Sequence, residues 1–249
     1  MDRPQQMNHN DRKHKYGAFL AVLLLALQST ANQAALAIDQ VGLSEFQLSN
    51  GDTFTSGKSF AVRWYKGKSL LLMPLHIFSP DGGFSRYLKP SEINSEVTKL
   101  QVYDLSKRSV LAVAGRSLLK SGGTTQYATG SMAGDLLAFE LPSSSRLTPF
   151  DMLFGLAPAG TKVTILSQAN ATSSQVTSYR GTISFSGRTS MVIKLNYPLT
   201  ALSSSGAPII DAQNKLVGML VGTQDDARTV VVGLPSSTMI SRIYADIGQ

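Results

Sequence analysis

The chain has 249 residues, of which 43% are hydrophobic and 16% are charged, and its formal net charge at pH 7 is +7. It contains no cysteine, which excludes disulfides, a thiolate nucleophile and a thiolate zinc site. The basic residues are scattered and not interleaved with aromatic residues, so we expect a solvated, mildly basic surface and no nucleic-acid partner. This length and apolar content suffice for one domain or for two closely packed halves.

The first 37 residues have the pattern of an export signal. A basic cluster at residues 12–15 precedes an apolar run at 17–27, which is short for a membrane span. Ala35, Leu36 and Ala37 then form an Ala-x-Ala cleavage signal, which predicts a mature start near Ile38. We therefore expect an exported protein that is periplasmic or secreted.

Two alternatives for the N-terminus stay open. Cleavage after Ala31 or Ala35 also fits the pattern of small residues. An uncleaved helix over residues 17–37 would instead anchor the protein in the membrane. In either case the body of the protein is expected outside the cytoplasmic membrane.

The remainder of the chain has the pattern of short strands separated by turn signals, which favours an all-β class. In the first half the predicted strands are residues 41–48, 59–65, 69–73, 97–103, 109–114 and 136–141. In the second half they are residues 162–167, 175–187 (one bent strand or a strand pair), 191–195, 207–210, 215–222 and 229–232. A Pro- and Ser-rich segment at 141–149 predicts a linker between the halves, 38–142 and 143–249. Ser236 can N-cap a final amphipathic helix.

The serine-rich turn at residues 203–208 is the first candidate for chemistry. Three serines precede Gly206, Ala207 and Pro208, and an apolar strand follows. A glycine after Ser205 permits a tight turn that exposes the serine hydroxyl to an acyl group. Backbone N–H groups before and at that serine could point at a developing oxyanion. Taken alone, however, a Ser-rich turn is more often structural.

His76 is the only histidine after residue 37 and therefore the only possible imidazole base of a mature protein. A lone histidine at a strand end usually packs or donates a hydrogen bond. Its place here, between an apolar strand at 69–73 and a Gly-rich loop, also suits a base at the rim of a core.

Asp135 opens the otherwise apolar run at 136–141. If buried, its carboxylate needs partners, and the simplest partners are N–H groups of its own turn. With His76 and Ser205, however, it supplies the orienting acid, the base and the nucleophile that serine-dependent acyl transfer requires. Only a fold could bring these three distant residues together.

These segments resemble the signatures of one family. Leu-Leu-Met-Pro-Leu-His at 71–76, Gly-Asp-Leu-Leu-Ala-Phe at 134–139 and Ser-Ser-Ser-Gly-Ala-Pro at 203–208 look like the three motifs of chymotrypsin/trypsin-fold serine peptidases. The run at 209–222 resembles the strand–turn–strand that follows the nucleophile in that family. The likeness is greatest to bacterial trypsin-like members without disulfides, and it covers residues 42–247.

The resemblance implies two packed six-stranded antiparallel β-barrels, residues 38–142 and 143–249, with a C-terminal helix and a site in the cleft between them. His76 and Asp135 would come from the first barrel and Ser205 from the second. The backbone N–H groups of Ser203 and Ser205 would form the oxyanion hole. Residues 219–223 would pair with an extended peptide. The substrate-binding residues implied in this way are Leu199, Met219, Leu220, Val221, Gly222 and Thr223.

Three positions depart from the family pattern. The family usually has glycine where Ser203 stands, and its animal digestive members have an aspartate, paired with a new N-terminus, where Ser204 stands. At the expected floor of the specificity pocket, near Leu199, there is no carboxylate, which favours a small or apolar substrate side chain over a basic one.

The sequence therefore predicts an exported serine endopeptidase with a His-Asp-Ser triad, and the alternative is a catalytically weak or silenced protease-like module that binds peptides. A membrane-tethered structural protein is a third hypothesis. We expect a polypeptide substrate, no cofactor and no metal, because a single usable histidine and no cysteine disfavour a zinc site. Membrane contact would occur only through an uncleaved N-terminal segment.

Overall fold

The computed structural model describes residues 39–82, 84–123, 132–200 and 203–248. The described residues belong to one compact unit, Ile38–Gln249. The predicted export signal at 1–37, and the alternative anchor at 17–37, lie outside the described residues. None of the described helices is both long enough and apolar enough to cross a membrane.

Six antiparallel strands of the first half form one curved sheet. They are β1 (Gly42–Leu48), β2 (Thr53–Arg63), β3 (Ser69–Met73), β4 (Val97–Tyr103), β5 (Val110–Ala114) and β6 (Leu137–Leu141). Their order across the sheet is β5-β4-β1-β2-β3-β6. The short helices of this half are the 3₁₀ segments Tyr65–Gly67, Leu75–Phe78, Pro80–Gly82 and Pro90–Glu92 and the α-helical turn Ile93–Glu96.

Six antiparallel strands of the second half form a closed barrel. They are β7 (Lys162–Gln168), β8 (Val176–Ser186), β9 (Met191–Leu195), β10 (Pro208–Ile210), β11 (Leu216–Thr223) and β12 (Val230–Pro235). Their order around the barrel is β10-β11-β12-β9-β8-β7. The last helix, Ser236–Ile247, follows β12 directly and packs against the central core through its buried apolar side chains.

The prediction of an all-β fold with two six-stranded antiparallel units and a final helix is confirmed, with one difference in the first unit. That unit is a half-barrel, because β5 does not pair with β6; the residues that follow β5 bond to β6 instead. The backbone N–H of Gly115 donates to the Glu140 carbonyl at 2.8 Å, and the Leu118 N–H donates to the Ala138 carbonyl at 2.8 Å. The predicted division at 142/143 falls between β6 and β7.

Burial of both faces of β3 explains its continuously apolar sequence. Leu70 and Leu72 lie in a central cluster between the two sheets, whereas Leu71 and Met73 lie in the core of the first sheet. A strand buried on both faces has a continuously apolar sequence instead of an alternating one. This strand leads directly to His76, so the histidine is positioned by a fully packed element.

Strand β11 of the second barrel is likewise buried on both faces. Met219 and Val221 belong to the central cluster, and Val217 and Leu220 to the core of the second barrel. The pairing of β11 with β12 shifts register between Leu220 and Gly222, which is the geometry of a β-bulge. Such a bulge re-aims the backbone groups of Val221, which lies beside the serine turn.

Candidate active site

His76 is held by the short 3₁₀ helix that follows β3. Pro74 precedes this helix in an extended conformation, with φ −76° and ψ 146°, so the strand stops there. Leu75, Ile77 and Phe78 are buried and fix the helix to the first sheet. The His76 side chain retains 17% exposure, which leaves the imidazole at the rim of the core.

Asp135 holds the His76 imidazole through two contacts. Its Oδ2 lies 2.7 Å from His76 Nδ1, and its Oδ1 accepts a hydrogen bond from the His76 backbone N–H at 2.8 Å. The carboxylate is fully buried, whereas the imidazole is partly exposed. The two residues meet because β3 and β6 are neighbours, with Met73 opposite Leu137. The described residues contain no group of three His, Asp or Glu side chains that could hold a metal ion.

The turn that carries Ser205 is docked on β2. The Ser205 carbonyl accepts a hydrogen bond from the Lys58 backbone N–H at 2.7 Å. Gly206 has φ +87°, and a Cβ at that position would lie 2.0 Å from the Lys58 carbonyl oxygen. Only glycine therefore allows this approach of the two backbones.

Gly57 lies where the serine turn and the histidine helix meet. A Cβ on Gly57 would lie 3.1 Å from Ile77 Cγ2 and 3.2 Å from the Ser205 carbonyl oxygen. Since Ile77 is the neighbour of His76, the same residue of β2 contacts both segments. The fold thus brings the serine turn and the His76–Asp135 pair to one place.

The Ser205 hydroxyl donates to the Val221 carbonyl at 3.0 Å. Among the described residues no hydrogen bond joins this hydroxyl to the His76 ring. The structure therefore shows a formed histidine–aspartate pair and a serine whose hydroxyl is directed to β11.

Ser203 adopts the left-handed conformation, with φ +61°. A side chain in this region costs about 1–3 kcal/mol, so the surrounding structure has to maintain it. The Ser203 carbonyl accepts a hydrogen bond from Lys58 Nζ at 3.0 Å. The next residue, Ser204, is buried, and its hydroxyl lies 2.9 Å from the Ser167 hydroxyl.

Lys58 is the residue of this site that the sequence analysis missed. It is only 1% exposed, although lysine is rarely buried. The signal that could have revealed it is the period-2 pattern of β2, which places Lys58 on the same face as Phe60 and Val62. Both of these neighbours lie in the central core.

Burial lowers the pKa of Lys58 from 10.5 to about 8. Between these two pH values the unfolded chain binds more protons than the folded chain, so stability rises with pH there. Because of Lys58, we expect the free energy of unfolding to be about 3 kcal/mol higher at pH 11, where the amine is neutral, than at pH 7.5. The measurement is urea unfolding of the wild type and Lys58→Met at both pH values, and equal pH dependence of the two proteins would contradict the expectation.

Two of the predicted substrate-binding residues touch the serine turn: the Leu220 carbonyl accepts from the Gly206 N–H, and the Val221 carbonyl accepts from the Ser205 hydroxyl. The side chains of Leu199, Met219, Leu220 and Val221 are buried, whereas Gly222 is partly buried and Thr223 is exposed. Strand β10 pairs with β11 only as far as Met219, whereas β12 continues to Thr223. Among the described strands, none pairs with the other edge of residues 222–223.

No protein-family model matches the sequence, and no curated protein sequence matches it. Solved structures do resemble the fold. The protease Rv3671c from M. tuberculosis, in its active form, is 14% identical with a TM-score of 0.56, covering 86% of this chain and 83% of that chain. A thermostable serine protease, AL20, from an extremophilic microorganism is 14% identical with a TM-score of 0.59, covering 86% of this chain and 100% of that chain.

The protease Anisep from Arthrobacter nicotinovorans is 13% identical with a TM-score of 0.57, covering 84% of this chain and 95% of that chain. Together these likenesses define the class of fold. The chain has the fold of the trypsin-like serine proteases, as its three sequence motifs predicted.

Proposed function

We propose that this protein is an exported serine endopeptidase that cleaves peptide bonds through an acyl-enzyme. Ser205 is the nucleophile, His76 the general base and Asp135 the acid that orients it. The observation that carries the proposal is the buried Asp135 carboxylate bound to His76 Nδ1 at the place where the serine turn docks. The compared structures are named as proteases, which supports the same reaction class.

The Asp135–His76 pair determines which imidazole nitrogen can accept a proton in this reaction. Because the carboxylate accepts the Nδ1 proton, the Nε2 lone pair is free to accept a proton from Ser205. Rotation of the Ser205 side chain moves its hydroxyl from the Val221 carbonyl to the imidazole. Ser205 Oγ then attacks the peptide carbonyl, and His76 returns the proton to the leaving amine. Water, which gives its proton to His76, then attacks the acyl-enzyme. His76 returns the proton to Ser205 Oγ, and the acyl group leaves as the acid.

The serine turn supplies the oxyanion hole in this proposal. The N–H groups of Ser203 and Ser205 donate to the oxygen that becomes negative in the tetrahedral intermediate. The left-handed φ of Ser203 supports this role, since it is a conformation that glycine, the usual residue of the similar family at this position, adopts without steric cost.

The open edge at residues 222–223 pairs with the substrate backbone. Leu199 is buried and carries no charge, so the specificity pocket accepts a small or apolar side chain in preference to a basic one. The segment at 1–37 directs the protein to the periplasm or the medium, or anchors it if uncleaved.

A fluorophosphonate probe tests the proposed nucleophile directly. We expect the wild-type protein to acquire one covalent adduct on the peptide that contains Ser205, because only an activated serine attacks phosphorus at neutral pH. The measurement is mass spectrometry of the labelled protein. The Ser205→Ala variant should remain unlabelled and His76→Ala should label far more slowly.

The second candidate function is a silenced peptide-binding module. The observation that favours it is the Ser205 hydroxyl directed to Val221 in place of His76. A folded wild-type protein that binds peptides, resists the probe and is unaffected by His76→Ala would establish this function and exclude the endopeptidase.

A further inference from the structure

Lys58 is a buried cation that reaches from the first sheet to the serine turn of the second barrel. We infer that Lys58 is a positioning residue: its ammonium group holds the Ser203 carbonyl and thereby keeps Ser203 in the left-handed conformation that the oxyanion hole requires. The inference rests on the proposed function, which it deepens by identifying what orders the oxyanion loop.

Lys58 contacts the turn at three points. Its Nζ donates to the Ser203 carbonyl at 3.0 Å, and its backbone N–H donates to the Ser205 carbonyl at 2.7 Å. Its carbonyl oxygen lies against Gly206, where a Cβ would approach to 2.0 Å. The backbone contacts fix the C-terminal part of the turn, and the side-chain contact reaches Ser203. Removing the ammonium therefore releases Ser203 and leaves the docking of Ser205 intact.

The charge of Lys58 is directed at this carbonyl. Among the described residues Lys58 forms no ion pair, and burial is what lowers the pKa of Lys58 to about 8. The amine is therefore still mainly protonated at neutral pH. A charged donor makes a stronger hydrogen bond than a neutral one, so the ammonium is well suited to hold a strained peptide.

Ser203 is the residue that needs such support. Its positive φ is unfavourable for any side chain, whereas glycine adopts it readily. Rotation of Ser203 into an ordinary conformation would carry its carbonyl away from Lys58 Nζ. Loss of the contact is therefore coupled to loss of the left-handed conformation. Lys58 compensates for a serine at a position where glycine would need no support.

The test compares Lys58→Met with the wild type in fluorophosphonate labelling. We expect the maximal rate of covalent labelling to fall about 10- to 100-fold with the probe's half-saturating concentration unchanged, because fewer molecules have a formed oxyanion hole. Methionine fills a similar volume without charge, so the thermal midpoint at pH 7 should be equal or higher. The matched control is Lys162→Met, an exposed lysine of β7, which should label like the wild type.

A double-mutant cycle with Ser203→Gly separates positioning from a general structural role. In the Ser203→Gly background, Lys58→Met should slow labelling less than about threefold, because glycine no longer needs to be held. An equal loss in both backgrounds would overturn the inference. So would wild-type labelling by Lys58→Met, or a labelling loss that follows a lower thermal midpoint.

Amide hydrogen exchange keeps the inference testable apart from catalysis. Lys58→Met should accelerate exchange in the peptide that covers residues 203–208 and leave other buried peptides protected. If the wild type resists the probe but Lys58→Met still accelerates exchange in the turn, the proposed function fails and the role of Lys58 in holding the turn stands. If the wild type is labelled and exchange in the turn is unchanged, the positioning role fails and the proposed function stands.

Discussion

The Asp135→Asn variant is expected to hydrolyse a peptide substrate with kcat about 10⁴-fold lower than the wild type. Asparagine keeps an oxygen that accepts the His76 backbone N–H, but its NH₂ group donates towards Nδ1. The imidazole must then carry its proton on Nε2, where it cannot accept the proton of Ser205. Steady-state kinetics on a peptide substrate measures the loss.

The control for this prediction is Asp151→Asn, which removes an exposed carboxylate that pairs with Arg63 at 2.8 Å. Both side chains of that pair are more than half exposed, so the substitution should leave kcat unchanged and alter stability little. Thermal unfolding establishes that Asp135→Asn is folded under the assay conditions. A folded Asp135→Asn with wild-type kcat would exclude a catalytic histidine–aspartate pair.

The Gly206→Ala variant is expected to lose about 3–5 kcal/mol of unfolding free energy and most of its labelling by the probe. The added methyl group would lie 2.0 Å from the Lys58 carbonyl oxygen and 2.9 Å from Pro74 Cδ. Neither neighbour can move as a flexible side chain does, since one is backbone and the other a proline ring. The turn would have to separate from β2.

Gly160→Ala is the matched control, because it isolates the strain of the backbone from the collision. Gly160 has φ +89°, close to the +87° of Gly206, but no atom outside its own chain neighbours lies within 4 Å of the place that an added methyl group would take. It should lose only about 1–2 kcal/mol, the ordinary cost of a left-handed alanine. Urea unfolding of both variants measures the difference. Equal losses would show that the approach of the serine turn to β2 does not limit stability.

The alternation and turn patterns of the sequence predicted most strands correctly, because the side-chain period of two and the turn residues act locally. The continuous apolar run of β3 likewise indicated full burial, and both faces of that strand are indeed packed. His76 could be singled out by elimination, since no other histidine follows residue 37. These inferences need only neighbouring residues or composition.

The closure of the first sheet could not be predicted in the same way. The segment after β5 bonds to β6 through Gly115 and Leu118, and the choice between a barrel and a half-barrel depends on that pairing. Pairing between distant segments is decided by the packing of the whole sheet. The local pattern of residues 110–118 is equally compatible with either outcome.

The sequence by itself determined which residue types are available for serine chemistry and that Ser205, His76 and Asp135 lie at the ends of apolar strands. The tertiary structure alone decided that Asp135 reaches His76 across 59 residues and that Lys58 reaches Ser203 across 145. It also decided that the Ser205 hydroxyl donates to Val221 and that Ser203 is held at positive φ. The physical reason is that strand formation follows local periodicity, whereas hydrogen bonds between the two halves exist only after both have folded and packed together.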